Sequence, residues 1–536
     1  MRDFALLYIN GVRREIRGRE ALLMLADWLR KEADMTGTKI VCAEGDCGSC
    51  TVLRAFANCA TLTQAHTQAK VHVGVSSVDG QNATHVAPLD FEAMNSCIAT
   101  VAQMDGSHIV TVEGMQCGQE LSPAQVAMRQ CHASQCGFCT PGFVMAISGM
   151  LEKHGGAGDA GVDAKMAANY LTGNLCRCTG YTPIVQAALT VRATEKYSVA
   201  GRYSNAAAIA DALAITKQPL LIEHDGVKLF APTSLREALT FAAQNPGFRV
   251  LGAATDLGVQ INKGKPLPRV VLSLHLLDEL YQAKQTRAGI VMGARVTLAQ
   301  VRRMCETTAP ELAHFLNLFA SPQIKNVATL VGNIANASPI GDTLPFLLIA
   351  GAVVHVASRP SGKGPIQKRK IDMCDLYVGY KKLALEPGEI ITHVSFDATS
   401  SNEILRLYKV SQRKDMDISA ISGAFSLTMA GREKHPAASD HKKTDTKPPI
   451  RTGQKQTTPR VVSARIALGG VAATPIRMPE VEAELLGDFT LEKAERVAQM
   501  ITNSIVPLSD VRASAAYRRV TAGNMFRRYA KEVLHG

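Results

Sequence analysis

No apolar stretch of this chain is long enough to cross a bilayer. The longest, PFLLIAGAVVHV (residues 345–356), falls well short of the ~20 residues a spanning helix needs. The opening MRDFALLYINGVRREI alternates and is soon broken by charges, so no signal peptide is evident. No fixed-period repeat stands out. No helix-turn-helix, zinc-finger or RNA-binding signature gives the formal charge of +12 a nucleic-acid meaning. No G-x-G-x-x-G follows the first strand of an α/β unit, so a Rossmann dinucleotide site is not indicated, and the fourteen histidines include no H-E-x-x-H. Together these absences leave a soluble cytoplasmic protein as the expectation, with no membrane and no nucleic-acid partner.

At 536 residues the chain is too long for one core, and roughly three or four domains are expected. A 46% hydrophobic content is that of an ordinary globular protein. Thirteen cysteines without an export signal argue for metal or redox use over a disulfide framework. Part of the positive charge sits in REKHPAASDHKKTDTKPPIRTGQKQTTPR (432–460), which has few apolar residues and reads as a disordered surface insertion.

Local signals divide the chain. FALLYINGVRREI reads as a hairpin turning at Asn10-Gly11, and GREALLMLADWLRKE as a helix. Residues 55–92 are polar, carry one strand candidate, AKVHVGVSSV, and read largely as an insertion. Ser122-Pro123, Thr140-Pro141 and Thr182-Pro183 look like capped helix starts, so a four-helix unit with cysteines on its connecting loops is predicted. Beyond Lys228 the texture turns α/β, and AISGAFSLTMA, VSARIALGGVA and LEKAERVAQMI predict two strands and a helix near the end.

The cysteines form two sets of four. CAEGDCGSC places Cys42, Cys47 and Cys50 at C-x4-C-x2-C, the plant-type ferredoxin spacing for a 2Fe–2S cluster. Gly45 and Gly48 allow the positive φ and free N–H groups of a loop wrapped round such a cluster. The fourth ligand must come from a distant segment. Cys59 follows too closely to return from another strand, and Cys97 in MNSCIATV is the better choice. The second set is Cys136-x2-Cys139 with Cys176-x-Cys178. Its competing reading is structural zinc, although one residue between ligands pinches a tetrahedral angle. Cys59, Cys117, Cys131, Cys305 and Cys374 read as core or incidental. Further on, VLGAATDLGV (250–259) follows a strand and offers the kind of backbone-lined loop that suits a pyrophosphate, a signal many α/β turns share.

CAEGDCGSCTV, NSC followed by TVEGM, QCHASQCGFCTPGFVM, LTGNLCRCTGYTPI, ASPQIKNVATLVGNIANASPIGDTLP, LYKVSQRKDMDISAISGAF and RASAAYRR occur in the order seen in the xanthine dehydrogenase/molybdenum hydroxylase family. The chain resembles that family's iron–sulfur/FAD subunit along nearly its whole length. The resemblance implies a multidomain α+β fold. It consists of a β-grasp 2Fe–2S ferredoxin domain (1–112, with the 55–92 insertion), a four-helix 2Fe–2S domain (113–195), a linker (196–226), a two-lobed vanillyl-alcohol-oxidase-like FAD-binding domain (227–402) and a C-terminal α+β domain (403–536). It assigns Cys42, Cys47, Cys50 and Cys97 to one cluster and Cys136, Cys139, Cys176 and Cys178 to the other, hence iron over zinc.

The resemblance also implies FAD contacts from Val250, Leu251, Gly252, Ala253, Ala254, Thr255, Asp256 and Leu257, from Thr329, Leu330, Val331, Gly332 and Asn333, and from Phe319, Asp342, Ile391 and Lys409. Gln135 matches a residue that touches the molybdopterin of a large partner subunit, and Arg413 and Lys414 lie on a loop that approaches the flavin. The implied function is electron transfer for xanthine oxidation. Electrons would pass from molybdopterin on the partner through both clusters to FAD and then to NAD, in a heterotetramer or larger assembly with two of each chain. No catalytic acid or base is expected here. Alternatives are the same role for an aldehyde or N-heterocycle hydroxylase, or a zinc-stabilised binding protein.

Overall fold

The computed structural model describes residues 1–56, 88–155, 162–287, 289–430 and 459–535. Strand Phe4–Ile9 turns back into Val12–Arg17 through Asn10 and Gly11, both at positive φ, the conformation a tight hairpin turn requires. Phe4–Ile9 also pairs in parallel with Ser107–Val110. The first sheet thus runs in the order Val12–Arg17, Phe4–Ile9, Ser107–Val110, Thr51–Phe56, Glu92–Asn95. The helix predicted over GREALLMLADWLRKE is in fact two, Gly18–Leu22 and Leu25–Lys31. Leu23 and Met24 between them are extended because their backbone pairs with residues 99–101: Val101 N–H donates to Leu23 O at 3.0 Å and Leu25 N–H to Ala99 O at 2.7 Å. A tertiary strand contact has overridden helix propensity.

The strand candidate AKVHVGVSSV and most of the 55–92 and 432–460 stretches lie outside the described residues. At their edges Ala55, Phe56, Glu92 and Arg460 belong to strands, and Leu89 and Phe91 are buried.

Four helices follow: Pro123–Gln130, Thr140–His154, Ala164–Leu171 and Thr182–Thr190. Ser122 caps the first in a full capping box. The other two predicted threonine caps are corrected. Thr140 and Thr182 are themselves the first helical residues, and the hydroxyl of Thr140 meets that of Ser134 at 2.7 Å. Residues 196–226, read as a linker, hold helices Val199–Tyr203 and Ala206–Thr216 and strand Leu220–His224. Ile209 and Ala212 pack into the core of the helical unit.

Two further sheets make the next region. One orders Leu220–His224, Val227–Ala231, Val270–Ser273, Arg249–Leu251; the other is antiparallel, Ala283–Gln285, Gly289–Gly293, Ile390–Asp397, Val353–Ser358, Gln367–Asp372. The C-terminal region pairs Glu403–Val410, Ile421–Met429 and Arg460–Gly469 and covers them with Leu491–Ser504 and Ala515–His535. Among the described residues no helix is long and apolar enough to cross a membrane.

The region of these two sheets, residues 220–397, is the lobe expected to take the flavin, here the flavin-side lobe, and a buried ion pair helps join the first sheet to it. Arg2 Nη1 donates to Asp105 Oδ1 at 2.7 Å and Nη2 pairs with Oδ2, while the Arg2 backbone bridges to Pro219 and Leu221. Burial raises the Asp105 carboxyl, but His275 and Arg2 more than reverse this and hold it below the ordinary carboxylate value. Of the two, Arg2 makes the hydrogen bonds; His275 Nε2 stands 3.6 Å away. Asp105→Ala leaves an uncompensated buried cation and is expected to cost about 3–5 kcal/mol in denaturant unfolding, followed by the fluorescence of Trp28, the only tryptophan. Because the folded carboxyl is depressed, its contribution is full above the ordinary carboxylate range and is lost as pH falls through the folded value. The gap between wild type and Asp105→Asn should therefore close in acid.

Candidate functional site

The cysteine loop after Lys39 wraps inward because Ala43, Gly45 and Gly48 all take positive φ. Backbone N–H groups of Glu44 and Cys47 then point at Cys42 Sγ, each at 3.4 Å. Cys97 arrives on a short helical turn, Ser96–Ile98, directly after the strand that pairs with Thr51–Phe56. The four thiols converge as two pairs. A hydrogen bond from Cys47 lowers Cys42 to about 5 and raises Cys47 itself; the Cys50–Cys97 contact lowers Cys50 and raises Cys97. Asn95 Nδ2 closes the loop by donating to Gly45 O at 2.6 Å.

The second set is built the same way from the helical unit. Cys136 and Cys139 precede helix Thr140–His154, and Cys176 and Cys178 lie between the last two helices. Cys178 Sγ meets Cys136 Sγ at 3.4 Å, and that residue's backbone and thiol pull Cys178 down to about 6. Cys139 is pushed up to about 12, first by burial and then by Cys176. Two thiols per iron is what a two-iron cluster takes, and both sets present thiols in twos. The sets differ in access. Cys47, Cys50 and Cys97 are buried, whereas Cys136 and Cys178 are exposed beside Gln135, Phe138, Leu175 and Tyr181.

The flavin-side lobe packs directly on the first set. Asn262, at the end of helix Leu257–Asn262, donates to both Ala43 O (2.8 Å) and Cys97 O (2.7 Å), and Lys263 pairs with Glu44 at 2.8 Å. On the other side of that helix a cleft opens. Residues 250–257 line it, as do Phe319, Thr329, Val331, Gly332, Asn333 and Ile391. Of the predicted contacts, Leu330 is instead turned into the core. Asp342 and Lys409 pair with each other at 2.8 Å behind the cleft, with the lysine 5.8 Å from the Phe319 ring centroid. Arg413 and Lys414 stand elsewhere than the cleft lining, and the charge of Arg413 reaches Asp46 in the cysteine loop.

Three residues with no ligand motif of their own organise this site. Arg295, 4% exposed, donates to Gly252 O in the cleft loop and stacks on Tyr281. Asn174 and Gln323 meet beside Gly48. The latter two fall inside the quoted stretches LTGNLCRCTGYTPI and ASPQIKN, but nothing in their spacing marks them. Arg295 falls in GIVMGARVTLAQVRRM, a stretch whose texture reads as α/β but marks no binding residue.

Comparison with known proteins gives three family matches. A 2Fe–2S binding domain matches residues 111–189, the FAD binding domain in molybdopterin dehydrogenase matches 225–397, and the CO dehydrogenase flavoprotein C-terminal domain matches 452–533. Xanthine dehydrogenase of Blastobotrys adeninivorans is 27% identical over 98% of this chain and 40% of its own length. Xanthine dehydrogenase 2 of Arabidopsis thaliana is 27% identical over 90% of this chain and 36% of its own. The chain thus spans about two fifths of the curated relatives it matches. A solved structure, reconstituted CO dehydrogenase from Oligotropha carboxidovorans, aligns over 56% of this chain and 94% of its own at 24% identity and a TM-score of 0.47, too loose to carry an argument.

Two outcomes follow from the site. Cys97→Ser should reduce bound iron from about four to about two per chain, whereas Cys59→Ser leaves about four; iron and sulfide assays read this directly. Arg295→Met removes a charged hydrogen bond to the cleft loop, worth about 1.5–3 kcal/mol, and flavin retention measured by equilibrium dialysis should weaken about tenfold or more.

Proposed function

The chain belongs to the molybdenum hydroxylase family, as a carrier of its iron–sulfur and FAD domains, and from this we propose that it is the electron-transfer subunit of a xanthine dehydrogenase. One observation carries the reading: the thiol sets and the cleft lie in series. Cys136 and Cys178 of the second set are exposed, Cys47, Cys50 and Cys97 of the first are buried, the two cysteine segments approach at Gly48 and Gly142, and the first shares Asn262 with the flavin-side lobe. The exposure of Cys136, Cys178 and Gln135 supports a molybdopterin-bearing partner seated over them; the likeness to xanthine dehydrogenases supports xanthine as its substrate, and with it we propose NAD as the final acceptor and two of each chain in the assembly. We place it in the cytoplasm.

Cys42, Cys47, Cys50 and Cys97 would hold one 2Fe–2S cluster, Cys136, Cys139, Cys176 and Cys178 the other, and the 250–257 loop with Thr329 to Asn333 the FAD. When bound, the clusters supply one-electron chemistry and the flavin the junction between one- and two-electron chemistry. The protein's own part is positioning and tuning. N–H groups of Glu44 and Cys47 stabilise charge on the Cys42 sulfur, and burial of Cys50 and Cys97 keeps water from the first set. Thr329 accepts from Gly332 N–H at 2.9 Å and fixes the start of the helix that forms one cleft wall, while Arg295 holds the opposite loop. No acid or base of this chain is assigned to substrate oxidation.

The test is an anaerobic visible spectrum of the purified chain with iron, sulfide, zinc and flavin assays, followed by addition of NADH. Broad absorption at about 400–550 nm, about four irons, one FAD and bleaching by NADH are expected. Bleaching by dithionite alone would remove NAD as the acceptor. A colourless protein with stoichiometric zinc would leave the zinc-stabilised binding protein.

A further inference from the structure

Between the two thiol sets lies a stack of three glycines closed by a side chain from the flavin-side lobe. A Cβ on Gly142 would fall within 3.0 Å of the Gly48 carbonyl oxygen, one on Gly48 within 3.0 Å of the Gly173 carbonyl oxygen, and one on Gly173 within 3.0 Å of Gln323 Oε1. Each glycine stands within three residues of a thiol: Gly48 beside Cys47, Gly142 after Cys139, Gly173 before Cys176. The spacing between the sets is therefore set by backbone against backbone at Gly48 and Gly142, with the Asn174 side chain packed alongside and Gln323 closing the stack at Gly173.

Gln323 is fully buried. Its Nε2 donates to Asn174 Oδ1 at 2.7 Å, and Asn174 Nδ2 in turn donates to Gly48 O at 3.0 Å. Its Oε1 has no hydrogen-bond partner among the described residues. A packing residue such as methionine would fill this space without stranding a polar atom, so the amide is explained by the direction it imposes. A hydrogen-bonded line thus runs from the flavin-side lobe, through the helical unit, into the first cysteine loop.

We infer that Gln323 is a positioning residue that locks the separation and mutual orientation of the two 2Fe–2S ligand sets and ties that geometry to the seating of the flavin domain. The inference rests on the proposed electron-transfer function, because it needs both thiol sets to hold clusters. It assigns a task in the iron–sulfur relay to a residue that is neither a cysteine ligand nor itself part of the cleft lining.

The test uses the full chain reduced with dithionite and its low-temperature electron paramagnetic resonance spectrum, in which two neighbouring reduced clusters split one another's signals. Gln323→Met keeps the shape and removes the amide; Gly173→Ala pushes the amide aside. Both variants are expected to retain the iron, sulfide and FAD content of the wild type while the intercluster splitting is lost or clearly altered. Wild-type splitting in both variants at full iron content would overturn the inference. So would loss of iron from either variant, which would make the contact a matter of folding, or a wild type with full iron and no splitting. A wild type without iron would instead overturn the functional reading itself.

Discussion

The contact on which the rest of the molecule depends is the close approach of Gly48, Gly142 and Gly173, with Asn174 bonded across it. A first cysteine loop, a helix start and the turn before the second cysteine pair come together there at backbone distance. A side chain on Gly48 or Gly142 would force these segments apart, since the nearest opposing atom at each is a backbone oxygen that cannot rotate away. The same loop must also turn inward round its thiols, which uses positive φ at Gly45 and Gly48 and even at Ala43. Glycine here answers two demands at once, and the clusters' ligands inherit their places from it.

Around this junction the charge chemistry is arranged by depth. In the first thiol set Cys47, Cys50 and Cys97 are buried, and the half-buried Cys42 sulfur receives backbone N–H groups, which cost no reorganisation. The second set lies at the surface among exposed Phe138, Leu175 and Tyr181, a mixture of apolar area and unscreened thiols that suits contact with another protein. The loops of the cleft beyond are fixed by Arg295, which donates to Gly252 O, and by Thr329, which accepts from Gly332 N–H, while Asp342 and Lys409 pair with each other beside Phe319. Asn262 joins the cleft helix to the cysteine loop by donating to two carbonyls, Ala43 O and Cys97 O.

Much of this was legible beforehand because it rests on short-range rules. The Asn10-Gly11 turn, the capping box at Ser122, the four helices with cysteines between them and the strands of the C-terminal sheet all follow from local pattern. Local pattern failed where a distant strand intervened, as at Leu23 and Met24, which pair with residues 99–101. It also failed where a capping residue found another partner, as Thr140 did with Ser134.

By itself the sequence set out the candidate ligand chemistry: cysteines at C-x4-C-x2-C, C-x2-C and C-x-C spacings, and a backbone-lined loop after a strand. These are properties of neighbouring residues and survive in any conformation. Only the tertiary structure decided that the sets are consecutive, that one is buried and the other open, and that Asn174, Asn262, Arg295 and Gln323 govern their placement. Those four act across separations of 43 to 219 residues. Hydrogen bonds between such remote segments leave no periodicity or spacing to read, because the distance that matters exists only once the domains have met.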